Sequence, residues 1–158
     1  MPTLSDFCRQ TILALPSTGE RIRKPPTGIS SYALNYVGLR MSHLVLMEVT
    51  DIDTDTDRLQ HRDFWYSLTP TGLIVQRLLR DETGGHYQEP SQEDAQRLAS
   101  NHVGVTVKRK KGQRDWEYVA TYGTPPHRHC YTCGKSLATA VASYAELEMI
   151  WSGRLHTA

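Results

Sequence analysis

The stretch Phe64-Trp65-Tyr66-Ser67-Leu68-Thr69-Pro70-Thr71-Gly72 limits the possible folds more than any other part of the chain. Phe64, Tyr66 and Leu68 alternate with Trp65 and Ser67, the period of a half-buried strand. The alternation stops at Thr69-Pro70, where proline suits the first turn of a helix. Leu73, Ile74, Leu78 and Leu79 then follow at helical spacing, so a strand is expected to run directly into a helix.

The residues before this strand organise around it. Ser30 to Val37 is expected to be a helix that serine starts and Gly38 ends. Met41 to Val49 is expected to be a second helix, with Leu44, Met47 and Met41 facing inward. Further upstream, Thr3 to Leu15 is a helix candidate capped by Thr3, with Phe7, Cys8, Ile12 and Leu15 on one stripe and Pro16 at its end. Arg21 to Gly28 is a basic connector containing two prolines. Asp51-Ile-Asp-Thr-Asp-Thr-Asp57 is acidic, but an EF-hand loop needs glycine and glutamate where this chain has Thr56 and Arg62, so it reads as a solvated acidic loop.

Two parts of this segment, Ala33-Leu34-Asn35-Tyr36-Val37-Gly38-Leu39 and Phe64-Trp65-Tyr66-Ser67-Leu68-Thr69-Pro70-Thr71-Gly72, resemble pieces of the winged helix-turn-helix family of bacterial and phage DNA-binding regulators. The first resembles the end of that family's helix 2 and its turn. The second resembles the "Y-x-L-T-x-x-G" strand that closes the wing. The resemblance implies an α+β fold with a winged-helix domain over residues 1–82, Met41–Val49 as recognition helix and residues 58–68 as the wing. It also implies a transcriptional regulator bound to duplex DNA, with homodimers as a known form. In that reading Arg40, Ser42 and His43 reach base edges, while Arg23, Lys24, Arg58 and Arg62 hold phosphates. Leu34 is bulkier than the family's usual small residue.

Residues 83–90, with Gly84-Gly85 and Pro90, read as a linker. Beyond them Ser91-x-x-Asp94 caps a short helix, and Val103–Lys108 and Trp116–Tyr122 form a hairpin. The hairpin tip carries Lys108, Arg109, Lys110, Lys111 and Arg114, the densest basic cluster in the chain and a second candidate for phosphate contact. Ser136 to Ser152 is the clearest helix. Leu137, Ala140, Val141, Tyr144, Leu147 and Trp151 form its main stripe, and Ala138, Ala142 and Ala145 form a small-residue flank suited to dimerisation. Residues 91–158 are thus expected to be an α-β-β-α accessory domain.

Cys130-x-x-Cys133-Gly134 resembles a zinc knuckle, with His127 and His129 as the nearest further ligands. Three readings of the pair stay open: zinc, a redox pair, and plain buried cysteines. Three cysteines in 158 residues argue against a disulfide scaffold and for a reducing, cytoplasmic setting. No apolar run is long enough for a bilayer, and the N-terminus lacks a secretory h-region. No nucleophile and base recur at a catalytic spacing, so no enzyme is expected. The net charge of +1 neither favours nor excludes nucleic acid. The apolar outer side of residues 41–49 and the acidic run support an alternative, a phage- or plasmid-type module that keeps the winged-helix fold to capture a protein partner.

Overall fold

The structure, a computed structural model, describes residues 4–49, 64–110, 112 and 114–155. The fold is α+β, and the described residues form five helices and two small antiparallel sheets. It divides into two compact units between Leu73 and Ile74, the second unit also taking in Leu4. The stretch 83–90 lies inside the second unit. Among the described residues no helix is long and apolar enough to cross a membrane.

In the first unit, α1 (Asp6–Ala14) is capped by Ser5, whose hydroxyl accepts the Cys8 N–H, so the helix starts later than the sequence suggested. Helix α2 (Ser31–Arg40) is capped by Ser30 as expected, the hydroxyl accepting the Ala33 N–H at 3.0 Å. It does not end at Gly38. It runs on to Arg40, and the Met41 N–H closes it onto the Val37 carbonyl.

The predicted recognition helix over Met41–Val49 is not formed. A tight turn through Met41–Leu44 leads into strand β1 (Val45–Val49), which pairs antiparallel with β2 (Phe64–Leu68) in the register Val45↔Leu68, Met47↔Tyr66, Val49↔Phe64. The local reason is the run Val45-Leu46-Met47-Glu48-Val49, with β-branched residues at both ends and alternate residues turned to the core. Ile22 extends the sheet by one bridge on the far side of β2, exchanging two 2.8 Å hydrogen bonds with Tyr66. The core holds Ile12, Leu15, Leu34, Val37, Leu44, Val45, Tyr66 and Leu68. The predicted wing residues Arg58 and Arg62 and the acidic run lie outside the described residues.

The join from β2 to α3 (Pro70–Thr83) explains the Leu68-Thr69-x-x-Gly72 pattern in atoms. The Thr69 hydroxyl accepts the Gly72 N–H (2.9 Å) and donates to the His43 carbonyl (2.7 Å). The Thr69 N–H donates to the Leu44 carbonyl at 3.0 Å. One threonine therefore caps α3 and ties its start to the turn before β1.

In the second unit, α4 (Gln92–Ser100) is capped by Ser91 as expected. Strands β3 (Val105–Arg109), β4 (Trp116–Tyr122) and β5 (His129–Thr132) form one antiparallel sheet in that order. Helix α5 (Leu137–Leu155) packs on the sheet and continues past Gly153. The unit is therefore α-β-β-β-α rather than α-β-β-α. The missed strand, β5, is His-Cys-Tyr-Thr, which carries no apolar alternation. Tyr122 meets Tyr144, and His129 stacks on Trp151 at 3.7 Å, so these sheet residues face α5. Glu82, at the end of α3, accepts from the Ser136 hydroxyl (2.8 Å) and the Ala138 N–H (3.0 Å), placing a carboxylate at the positive end of α5.

Candidate nucleic-acid interface

The residues assigned to base reading do not come together. Arg40 is exposed at the end of α2, its guanidinium 5.3 Å from the Tyr36 ring. Ser42 is exposed in the turn after it. His43 is turned inward, and neither of its ring nitrogens finds a hydrogen-bond partner. Burial alone lowers its pKa from 6.5 to about 4, so at neutral pH it is an uncharged ring in a dry place. It cannot read a base edge from there. The helix that directly precedes the β1–β2 hairpin is α2 instead, and it exposes Tyr32, Tyr36, Leu39 and Arg40.

The basic connector gains a definite geometry. Ile22 points into the sheet through its bridge to Tyr66, so its neighbours Arg21 and Arg23 fall on the opposite side. Both guanidiniums lie over the Trp65 indole, at 4.9 Å and 5.4 Å from its centroid. Arg21 also pairs with Glu48 at 3.4 Å, across from Trp65 in the β1–β2 register. Lys24 is exposed next along the chain. Arg21 and Trp65 were absent from the sequence-derived set. The available signal was the two-residue spacing of Arg21 and Arg23 around an apolar Ile22, which is a strand pattern.

In the second unit, β3 runs out to the basic hairpin tip, β4 returns and β5 runs out again. The tip and the start of α5 therefore share one end of the sheet. Lys135, just before α5, binds the Asp115 carboxylate and the Glu89 carboxylate, each at 2.7 Å, and lies 5.1 Å over the Trp116 ring. The hydrogen bond from Lys135 holds the Asp115 carboxyl below its usual range. Asp115 is the acid nearest in sequence to the tip, and Lys135 occupies it. Lys108, Arg109 and Arg114 are exposed, and Lys110 is half-buried. Among the described residues no ion pair engages any of these four. Lys111 lies outside the described residues.

The four zinc candidates are spread over the β4–β5 connection, β5 and the residue that follows it. His127 is exposed in the connection. His129 faces α5 against Trp151. Cys130 is exposed on the opposite side of the sheet, its sulfur 3.5 Å from the Thr121 hydroxyl. Cys133 is buried on the α5 side, its thiol donating to the Tyr131 carbonyl at 3.4 Å. Burial pushes the Cys133 thiol pKa up, away from the thiolate that a metal requires. The strand pleat thus turns the two sulfurs to opposite faces. Among the described residues no three or more metal-binding side chains converge.

Comparison with known proteins supplies no neighbour from which a role could be carried over: no family model matches the chain, and neither a curated protein nor a solved structure matches it significantly.

Proposed function

We propose that the protein is a DNA-binding regulator that holds duplex DNA by its phosphate backbone, with the β3–β4 hairpin as its principal contact. The observation that carries this reading is the density of exposed basic side chains on the hairpin, none of which forms an ion pair among the described residues. Lys108, Arg109, Lys110 and Arg114 lie on the β3–β4 ribbon, while the adjacent acid, Asp115, is held by Lys135. Cations free of internal partners can replace the counterions condensed on a duplex, and the release of those counterions drives association. In the first unit Arg23, beside the Trp65 indole, and the exposed Lys24 add further positive charge, while Arg21 is paired with Glu48. Contacts of this kind position a duplex without reading its sequence. Any base selection must come from elsewhere, because Met41–Val49 is a turn followed by a strand and the ring nitrogens of His43 are buried.

The experiment is fluorescence anisotropy with a labelled random duplex. The full chain should bind, and Lys108→Ala/Arg109→Ala/Lys110→Ala should bind much more weakly while keeping its circular dichroism spectrum. A triple variant that binds as tightly as the parent removes the hairpin from the interface.

The alternative, a module that captures a protein partner, has one observation in its favour: the exposed aromatic and apolar side chains of α2. That face has a more specific occupant.

A further inference from the structure

Helix α2 presents an outward stripe made of Tyr32, Tyr36, Leu39 and Arg40. Tyr32 is 73% exposed and Leu39 is 72% exposed, values far outside what either side chain shows in a packed site. The rings are already ordered as a surface. Tyr32 stacks on Tyr36 at 6.3 Å, Phe7 of α1 meets Tyr36 edge-on at 5.5 Å, and Arg40 lies over Tyr36. Positions 32, 36 and 39 are separated by four and then three residues, the spacing of a helix–helix seam. Tyrosine and arginine are also the residues most enriched where proteins meet.

The stripe is complementary to itself. Tyr36 stands midway between Tyr32 and Arg40. Two copies of α2 crossing antiparallel on a two-fold axis at Tyr36 therefore set each Tyr32 ring against the other copy's Arg40. Guanidinium on an aromatic face is an attractive pair, and the symmetry forms it twice. Leu39 of each copy then covers the Tyr32–Tyr36 side of the other. Helix α2 carries no carboxylate, so no like-charged or unpaired acid is buried in this arrangement. In the other surface suited to self-association, the alanine flank of α5, Ala138 and Ala142 are buried and Ala145 is half-buried.

We propose that α2 is the contact of a two-fold homodimer, with Tyr36 on the axis and Tyr32 paired with Arg40 across it. A ten-residue helix is only ~15 Å long. The patch is therefore smaller than the ~1,200 Å² of a standard stable interface, and the dimer is weak and concentration-dependent.

The test uses the full chain with the exposed Cys130 replaced by serine, the other two thiols being buried. Tyr36→Cys should give a covalent dimer under mild oxidation. Tyr32→Cys and Arg40→Cys should each cross-link poorly alone and efficiently when mixed. Gln96→Cys, on the exposed side of α4, sets the background. Without cysteine substitutions, sedimentation velocity should show mass rising with concentration, and Leu39→Lys should weaken self-association by at least about tenfold. A chain that stays monomeric and cross-links no better than Gln96→Cys overturns the proposal. So does Tyr36→Cys dimerisation without the crossed Tyr32–Arg40 product, which places the axis elsewhere. A monomer in which Tyr32→Ala weakens duplex binding also overturns it, by assigning the tyrosines to nucleic acid. Duplex binding by the hairpin is read separately, so either idea can fail alone.

Discussion

Two glycines show how single side chains decide this fold. A Cβ on Gly72 would stand 2.0 Å from the Leu44 carbonyl oxygen, which is backbone and cannot swing aside. Gly72→Ala must therefore push α3 off the turn that Thr69 fastens. We expect a loss of about 3 kcal/mol, seen as a drop in Tm of roughly 6–12 °C, whereas Gly85→Ala, with open space around it, should leave Tm nearly unchanged. Gly38, which reads as a helix terminator in the sequence, lies inside α2, where Met47 of β1 comes within 3.0 Å of its missing Cβ. It is there to let the strand approach. His43 makes a different demand. Its folded pKa of about 4 is below its ordinary 6.5, so between those values the unfolded chain binds the proton that the folded chain refuses. Stability from this residue is full above pH 6.5 and falls as pH drops toward 4, by up to about 3 kcal/mol. His43→Leu should flatten urea-unfolding free energy across that window. It should also be neutral or stabilising at pH 7, because it removes two orphaned ring nitrogens.

At the scale of elements, the hairpin of the first unit forms where a helix was expected. Leu44 and Met47 fit a helical stripe, but Val45, Met47 and Val49 fit a strand equally well, and a short apolar run does not discriminate. Strand β2 settled the choice, because its aromatic alternation needs a partner for its backbone groups and β1 supplies one. In the second unit, Cys130 lies in β5 and Cys133 directly after it, and the extended chain turns their sulfurs to opposite faces. Chelation should accordingly leave the protein's Tm unchanged, and native mass spectrometry should find the metal-free mass. A zinc-bound mass lost on chelation together with several degrees of Tm would overturn the geometric argument.

At the scale of the whole molecule, a net charge of +1 means that no long-range field drives association with DNA. The proposed DNA binding therefore rests on local clusters, and its salt dependence counts them. If the hairpin supplies about four phosphate contacts, affinity should fall roughly a hundredfold between 50 and 200 mM salt. Each lysine removed should lower the slope of log affinity against log salt by about one. Much of the architecture was written locally. Serines 30, 91 and 136 start helices, Trp116–Tyr122 alternates as a strand, and Phe64–Gly72 turns from strand to helix. Those features are legible because caps, periodicity and proline act over a few residues. The basic hairpin was legible for the same reason. Tertiary structure alone decided that Val45–Val49 pairs with β2, that Ile22 joins the same sheet with Arg21 and Arg23 over Trp65, and that Lys135 binds Asp115. Each of these depends on groups far apart in the chain meeting at van der Waals or hydrogen-bond distance, and no local pattern of residues encodes such a meeting.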